Sequence, residues 1–409
     1  MLNEFDHRAI GARLDLFHVQ EEAPGMIFWH PRGFTLYRLV EAYLRDCLAA
    51  HGYQEIRTPQ VLSRSLWEES GHWHNFREGM LTVDDGEHDF ALKPVNCPGH
   101  VQVFRRGIRS YRDLPLRLAE FGACHRNEQR GALHGLMRVR GFVQDDAHIF
   151  CREDQVPDEI AAFVALLRGV YLAFGFPDVD VAFSSRPPER AGDDATWDRA
   201  EAALLGAAHA VGLDPVHQPG QGAFYGPKLE FALRDAHGRA WQCGTIQLDL
   251  VLPERLDAHY IDREGARARP VMLHRAIVGS LERFVGILLE HARGALPPWL
   301  SPSQVVVAPI AEAHQPYGAS ALAALRQRGL RATLDGRPES LARRIVDARE
   351  AGAPFLWVVG AREAEAGTVS VRDRAGASQL LPLQVALDAA ERACARPPIP
   401  LPSEDRPPV

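Results

Sequence analysis

Apolar residues recur at helical spacing early in the chain. From Leu36 to Leu48 they fall at positions i, i+3, i+4, i+7 and i+8, and Gly52 follows. This spacing predicts an amphipathic helix with one buried face, ended by Gly52. The next segment, Tyr53 to Thr58, has the pattern of a strand and stops at Pro59. The order is therefore long helix, strand, proline.

Further apolar segments predict a sheet in the first part of the chain. Strands are expected at 119–126, 137–145, 228–234 and 240–250. Several of the connections are too short to hold a crossover helix, so the sheet should be largely antiparallel. With the flanking helices this indicates an α+β domain.

A proline-rich break divides the chain between Gly294 and Pro302. Beyond it, predicted strands and helices alternate, which indicates a small α/β domain with a mostly parallel sheet. The strands are 304–310, 330–334, 354–360 and 368–373, and the helices 317–328, 339–351 and 383–395. We predict domains at 1–295 and 301–396, followed by a disordered proline-rich tail at 397–409.

Composition excludes several classes of protein. The chain has 409 residues, 46% of them hydrophobic, and a net charge of −7. Collagen-like, coiled-coil and wholly disordered chains do not have this profile. No uncharged apolar run approaches the ~20 residues of a membrane helix, and the first residues lack the apolar core of a signal peptide. We expect a cytoplasmic protein without a membrane partner.

Basic residues are unevenly distributed. Residues 101–140 hold nine Arg against three acids, a net charge of +6. A local basic region on an acidic protein suits a phosphate-bearing partner, although a solvated face is the simpler alternative. Only two of the 46 basic residues are lysines, Lys93 and Lys228.

Two segments have features that suit anion binding. The predicted strand ending at Arg126 leads through a polar loop to a second strand that reaches His148, and an Arg at such a hinge can grip a phosphate. Met272 to Phe284 passes through Gly279-Ser280 into a helix with Arg283 in its first turn, where anions are favoured. A surface hairpin and an ordinary helix are the alternatives.

Other signatures are absent or incomplete. Gly220 to Gly226 has the wrong spacing for a dinucleotide fingerprint and precedes a strand, so we reject that reading. The six cysteines include no CxxC pair. Cys/His pairs occur at Cys97/His100, Cys124/His125 and His148/Cys151, but their spacing alone does not establish a metal site.

Taken together, these segments resemble class II aminoacyl-tRNA synthetases, and within them the threonyl-tRNA synthetase family. Helix, strand and Pro59 resemble motif 1, FGACHRNE to QDDAH resembles motif 2, and GSLERF resembles motif 3. More specific matches are KPVNCPGH, LHGLMRVRGF, GAFYGPK and WQCGT. The resemblance spans about residues 6–395. It implies an antiparallel class II sheet domain and an α/β anticodon-binding-like domain.

The resemblance implies a site for each substrate. Zn²⁺ would be held by Cys97, His148 and His274, and would bind the amino group and the side-chain hydroxyl of threonine. Asp146 would accept a hydrogen bond from the same hydroxyl. Three protein ligands with an open fourth position are typical of catalytic zinc. Gln144 and Tyr225 would bind the amino acid. ATP with Mg²⁺ would be bound by Arg126, Glu128, Gln242, Gln247 and Arg283. Lys228 and His72 would take part in catalysis, with His72 near the transferring end of tRNA.

The chain also departs from the family pattern. Asp6-His-Arg-Ala-Ile-Gly lies where the catalytic domain begins in the family, so we expect the N-terminal and editing domains to be missing. In the second domain, Ser340, Ala342 and Val346 replace a Lys, a Gly and an Arg of the anticodon-binding turn, and residues 301–409 have a net charge of only +1. Anticodon recognition is therefore in question.

Two functions follow as expectations. The first is a homodimeric threonine–tRNA ligase that uses ATP, L-threonine and tRNA. The alternative is a paralogue that activates threonine or a related hydroxy amino acid and passes it to a carrier protein or small molecule. A non-catalytic binding module is the least favoured, because pseudoenzymes usually lose active-site residues and every active-site position compared retains a competent residue type.

Overall fold

The computed structural model describes residues 3–235 and 237–402. Its helices in this part of the chain are α1 His7–Arg13, α2 Pro31–Ala50, α3 Arg64–Glu69, α4 His72–Asn75, α5 Cys97–Phe104, α6 Val156–Ala173, α7 Asp194–Ala210, α8 Leu252–Arg255, α9 Leu281–His291, α10 Gln315–Gln327, α11 Leu341–Glu350, α12 Ala361–Ala366 and α13 Leu383–Ala393. None of these described helices is both long and apolar enough to span a lipid bilayer.

The strands are mostly short outside one long central group. They are β1 Phe17–His18, β2 Phe28–Trp29, β3 Gln54–Glu55, β4 Val61–Ser63, β5 Thr82–Asp84, β6 Asp89–Leu92, β7 Leu116–His125, β8 Gly141–Cys151, β9 Asp180–Ser184, β10 Val216–Gln218, β11 Lys228–Arg234, β12 Ala240–Asp249, β13 Tyr260–Ile261, β14 Arg267–Ala268, β15 Val271–Ser280, β16 Val305–Pro309, β17 Ala332–Leu334, β18 Phe355–Val359, β19 Thr368–Asp373 and β20 Ser378–Pro382.

The described residues fall into two compact units. The small unit is drawn from the described residues within 3–19, 27–40 and 288–398, and the large unit from those within 20–26, 41–287 and 399–402. Of the predicted tail, residues 397–402 are described, and Pro400 lies against Gly169 of α6. Residues 403–409 lie outside the described residues.

The large unit is built on an eight-stranded sheet in the order β10-β9-β11-β12-β15-β8-β7-β3. The pairings from β9 to β8 and β7 are antiparallel, and only the two edge pairs, β10 with β9 and β3 with β7, are parallel. The predicted α+β class and the largely antiparallel sheet are confirmed. Strands β12, β15 and β8 lie in the interior of the sheet, so each is hydrogen-bonded to a neighbouring strand on both sides.

The predicted motif 1 elements are confirmed in order but not in length. Helix α2 covers the predicted stripe, whose members Leu36, Val40 and Leu44 are buried, and Gly52 has the left-handed φ of +72°. The predicted strand 53–58 is too long, since β3 holds only Gln54–Glu55. The chain leaves the sheet because the N–H of Thr58 donates to the Glu120 carboxylate (2.9 Å) instead of to a strand carbonyl.

Motif 2 strands are shifted from their predicted bounds. Strand β8 begins at Gly141, four residues after the predicted start, and continues to Cys151. The reason lies in the preceding turn, where the N–H of His134 bonds to the carbonyl of Arg138 (3.1 Å). The later end is important for the site because it places residues 144, 146 and 148 on one strand.

The small unit contains a five-stranded sheet in the order β17-β16-β18-β19-β20. Pairings of β16 with β17 and β18 are parallel, whereas β18 with β19 and β19 with β20 are antiparallel. The predicted mostly parallel sheet is therefore right for β16 to β18, whereas the predicted strand 368–373 pairs antiparallel with β18. Only residues 360–367 separate β18 from β19, which is too short a connection for a parallel crossover, and β20, which was not predicted, forms a hairpin with β19.

Candidate active site

The register of the central sheet brings predicted site residues into one row. Lys228 pairs with Gln247, Gln247 with His274, and His274 with His148 across β11, β12, β15 and β8. Directly paired residues in antiparallel strands project from the same face. Strand alternation adds Gln144 and Asp146 to the face of His148. Residues far apart in sequence thus line one surface of the sheet.

One end of the row forms a buried Cys/His cluster. Cys97 at the start of α5, His148 on β8 and His274 on β15 have ligand atoms that all lie within 4.8 Å of one another. Their exposed fractions are 2%, 1% and 4%. The Nε2 of His148 is 3.0 Å from the Nδ1 of His274, and the Sγ of Cys97 is 3.7 Å from the Nε2 of His72.

This donor set fits zinc. Two imidazole nitrogens and one sulfur, with no fourth protein ligand required, match the ligand types of catalytic zinc sites. Burial, together with Asp146 and Asp249, raises the pKa of Cys97 well above its ordinary value, whereas burial lowers the pKa of His148 well below its own. A divalent cation would offset the charge of a buried thiolate, and neutral imidazoles leave their lone pairs available.

The same face of the sheet opens into a polar cavity of about 260 Å³. Seven of the predicted site residues line it, as do several that were not predicted. The predicted ones are Arg126, Glu128, Gln144, Lys228, Gln242, Gln247 and Arg283; the others include Arg138, Phe142, Thr245 and Ser280. The structure therefore collects residues from the motif 2-like and motif 3-like segments, and from strands β11 and β12 between them, around one space.

Two arginines are fixed on the walls of this cavity. Arg126 follows β7, its Nε donates to the carbonyl of Pro94 (3.2 Å), and its guanidinium lies over the Phe142 ring at 5.1 Å. Arg283, in the first turn of α9, donates from Nε to the carbonyl of Met137 (2.9 Å) and from Nη1 to that of Gln242 (2.9 Å). Since these contacts are to neutral groups, both cations keep their charge for an anionic ligand.

Tyr225 connects the cavity with the Cys/His cluster. Its ring stacks on His274 at a centroid distance of 4.7 Å, and its hydroxyl donates to the Oε1 of Gln247 (2.6 Å). Asp146 lies beside the cluster, with Oδ1 4.0 Å from the Nε2 of His148, and accepts from the Nδ2 of Asn96 (2.9 Å). Burial raises the pKa of Asp146.

Three further predicted residues, His72, Lys228 and Glu128, have polar partners of their own. His72 is buried, its Nδ1 is 2.9 Å from the Oγ of Ser70, and burial followed by the charges of His274, Arg255 and Arg126 lowers its pKa to about 3. Lys228 forms an ion pair with Glu230. The carboxylate of Glu128 accepts from the Nε of Arg138 at 2.9 Å.

An unpaired acceptor points to a ligand in this region. Among the described residues, the buried Oε1 of Gln144 has no hydrogen-bond partner. A buried carbonyl oxygen without a donor is costly, of the order of 1–3 kcal/mol, unless a ligand or water satisfies it. Gln144 lines the cavity two positions along β8 from Asp146, so a ligand ammonium bound between the cavity and the cluster would satisfy this oxygen.

Sequence reasoning missed several residues in contact with the cluster. Asp249 accepts from the Nε2 of His274 (2.8 Å), and His100 has its Nδ1 2.9 Å from the Nδ1 of His148. His100 was noted only as a neighbour of Cys97. The one available signal for Asp249 was a carboxylate at the end of a predicted strand, which does not indicate a partner 25 residues away.

Comparisons with known protein families agree with this architecture. The family described as tRNA synthetase class II core domain (G, H, P, S and T) matches residues 78–292. The anticodon binding domain family matches residues 304–394. The first match alone covers more than half of the chain.

Individual relatives are also similar. Proteins named threonine–tRNA ligase from Burkholderia mallei and Paraburkholderia phytofirmans are 58% identical over 371 residues, or 91% of this chain. The chain spans 58% of the length of these curated relatives.

Solved structures give a similar result. A Cryptosporidium parvum structure titled as the RNA binding domain of threonyl-tRNA synthetase has 40% identity and a TM-score of 0.92, covering 96% of this chain and 99% of its own. A putative threonyl-tRNA synthetase from Aeropyrum pernix has 29% identity and a TM-score of 0.81, covering 97% and 98%. This protein belongs to the class II tRNA synthetase core family, with an anticodon-binding domain following the core.

Proposed function

We propose that this chain is a threonine–tRNA ligase, which activates L-threonine with ATP and transfers it to tRNA. The observation that carries the proposal is the junction of two binding regions on one sheet face. A cavity with two fixed arginines adjoins a buried Cys/His cluster, and Tyr225 contacts both. The name of the 58% identical relatives supports this substrate choice. The comparisons give no support to the carrier-transfer alternative.

Activation requires an anion-binding site of this kind. A carboxylate oxygen of threonine attacks the α-phosphorus of ATP, and the bond from that phosphorus to the pyrophosphate oxygen breaks with its electron pair. Arg126 would contact the α-phosphate, and Arg283 the γ-phosphate side. Glu128, Gln242 and Gln247 would hold the adenylate, and Mg²⁺ would neutralise part of the phosphate charge. Fixed positive charge around a reacting phosphate lowers the barrier without reorganisation.

The Cys/His cluster would select the amino acid. Zinc held by Cys97, His148 and His274 would supply a Lewis acid that takes the amino group and the hydroxyl of threonine. Asp146 would accept a hydrogen bond from the threonine hydroxyl. The unpaired Oε1 of Gln144 would accept a hydrogen bond from the amino group of threonine. Tyr225 would close the pocket over the same face. This arrangement would select an amino acid whose side chain carries a hydroxyl group.

Transfer would place the 3′ end of tRNA near His72 and Lys228. The small unit, matched by the anticodon binding domain family, would contact tRNA elsewhere. We also propose the domain limits 1–295 and 301–396 and, from the family resemblance, a homodimer. Sedimentation of the purified chain tests the dimer.

Threonine-dependent exchange of pyrophosphate into ATP tests the activation step, and charging of total tRNA tests the transfer. We expect both activities. Arg126→Ala should lower exchange by at least about 100-fold, the usual effect of removing one group that stabilises developing charge. Arg112→Ala, in an exposed turn of the same basic stretch, is the matched control and should retain exchange. Absence of exchange in folded, zinc-loaded protein would overturn the proposal.

A further inference from the structure

A chain of hydrogen-bonded, buried side chains extends from His148 and does not line the cavity. It consists of His100, Glu120 and Lys93, whose exposed fractions are 0%, 3% and 1%. The Nδ1 of His100 is 2.9 Å from the Nδ1 of His148, and its Nε2 is 3.1 Å from the Oε2 of Glu120. None of these three residues belongs to the predicted site, so their arrangement needs a separate explanation.

Glu120 accepts hydrogen bonds at both of its oxygens. Its Oε1 receives the N–H of Thr58 (2.9 Å) and the ammonium of Lys93 (2.8 Å), and its Oε2 receives the Oγ1 of Thr58 (2.8 Å). With His100 this makes four donors, which is the capacity of an ionised carboxylate. Burial alone would raise the pKa of Glu120, but His100, Lys93 and the Thr58 N–H together lower it to about 2.

The donors and acceptors along the chain are therefore fixed. Because Glu120 can only accept, the Nε2 of His100 carries a proton. In a neutral imidazole the other nitrogen is then an acceptor. The Nδ1 of His148 must accordingly be the donor in the 2.9 Å contact with His100. This leaves the Nε2 of His148 with a lone pair, and that atom faces His274 and Cys97.

A second carboxylate fixes His274 in the same way. The Oδ1 of Asp249 accepts from the N–H groups of Val251 (2.7 Å) and Leu252 (2.9 Å), and its Oδ2 lies 2.8 Å from the Nε2 of His274. His274 therefore presents its Nδ1 lone pair to the cluster. The outer hydrogen bonds alone aim two nitrogen lone pairs at the space beside the Cys97 sulfur.

We infer that His100 is a positioning residue that holds His148 as the Nδ1-protonated tautomer, with its Nε2 lone pair ready for a metal ion. Glu120 and Lys93 keep His100 in the required state. The inference rests on the zinc site of the proposed function. Hydrogen bonds of this kind to metal-binding histidines are typically worth about 10–100-fold in metal affinity.

Two variants of nearly equal shape isolate the contact. His100→Leu removes the acceptor for His148, whereas His100→Asn keeps an oxygen close to the position of Nδ1. Zinc affinity is measured by competition with a chromophoric chelator. We expect His100→Leu to bind zinc about 10–100-fold more weakly than wild type. We expect His100→Asn to recover most of the loss, at equal folded content by circular dichroism.

Equal losses in the two variants, or wild-type affinity in His100→Leu, would overturn the inference while leaving the zinc site intact. A wild-type chain that binds no zinc would instead overturn the zinc site, and the inference with it. If the variants do not fold, NMR of ¹⁵N-histidine-labelled wild type decides. Zinc-loaded protein should show His148 protonated at Nδ1, and protonation at Nε2 would overturn the assignment.

Discussion

Tyr225 lies over His274 with the two ring planes 24° apart and the centroids separated by 4.7 Å. The same tyrosine donates its hydroxyl to Gln247, which lines the polar cavity. The side chain of Tyr225 thus covers His274 of the Cys/His cluster and also contacts a residue that lines the cavity proposed to bind the nucleotide. The two contacts depend on different parts of Tyr225, the ring and the hydroxyl, so they can be removed separately.

Tyr225→Phe should affect amino acid binding more than metal binding. The ring that stacks on His274 remains, but the half-buried Gln247 loses the hydrogen bond to its Oε1, which is worth about 0.5–1.5 kcal/mol. We expect the KM for threonine in pyrophosphate exchange to rise about 2- to 13-fold with unchanged zinc content. Tyr225→Leu, which also removes the stacked ring, should lower zinc affinity as well. Loss of zinc in Tyr225→Phe would contradict this division.

Cys97→Ala should remove zinc and threonine-dependent exchange together. Within the described part of the chain the cluster is the triplet Cys97, His148 and His274, so the variant retains two imidazoles, which bind zinc far more weakly than three ligands do. Metal content by elemental analysis is read beside exchange. Cys47→Ala is the matched control, because Cys47 is equally buried and lies on α2. Full exchange in zinc-free Cys97→Ala would show that the metal has no role in activation.

Glu282 should make the protein less stable as the pH rises. It is 5% exposed, accepts from the N–H of Val143 (3.1 Å) and the Oγ of Ser280 (2.9 Å), and burial raises its pKa from 4.5 to about 7. The folded state therefore binds a proton that the unfolded state has released. Its contribution is fully present below about pH 4.5 and is lost between about pH 4.5 and 7.

Glu282→Gln removes this titration and keeps an acceptor in place. A rise in the pKa of Glu282 from 4.5 to about 7 corresponds to a loss of about 3 kcal/mol in the free energy of unfolding across this pH range. The urea concentration at the unfolding midpoint should therefore decrease less from pH 5 to pH 8 in Glu282→Gln than in wild type. Glu264→Gln, at an exposed position between β13 and β14, is a control in which the ordinary pH dependence should persist. Parallel pH profiles for Glu282→Gln and wild type would contradict the prediction.

The sequence was most informative where periodicity and a specific motif coincided. The stripe from Leu36 predicted α2, and Arg126, Lys228 and Arg283, assigned from separate segments, line one cavity. These residues meet because the register of the sheet brings positions on separate strands together. The lengths of β3 and β8 were less predictable, since side-chain hydrogen bonds such as that between Thr58 and Glu120 determine where strands end.

The polar residues behind the cluster could not be derived from sequence patterns. His100 bonds to a residue 48 positions away and Asp249 to one 25 positions away, and no local spacing encodes such pairs. Lys93 was notable only as one of two lysines. Its buried ammonium fits between the Thr58 hydroxyl and the Glu120 carboxylate, where the larger planar guanidinium of arginine has a different shape.

Amino acid selectivity at the activation step should be uneven, with serine accepted and valine rejected. Serine keeps the ammonium and the hydroxyl that Asp146 and the Cys/His cluster would read, and lacks one methyl group, worth about 1–3 kcal/mol or roughly 10–200-fold. Valine lacks the hydroxyl, so the hydrogen bond that the substrate would donate to the buried Asp146 is lost, and a site built around such a bond typically rejects the analogue by about 10⁴–10⁵-fold. Exchange measured with threonine, serine and valine should follow this order. Asp146→Asn should lower kcat/KM for threonine and reduce the ratio of threonine to valine exchange. Acceptance of valine together with rejection of serine would show that the methyl group, not the hydroxyl, is recognised.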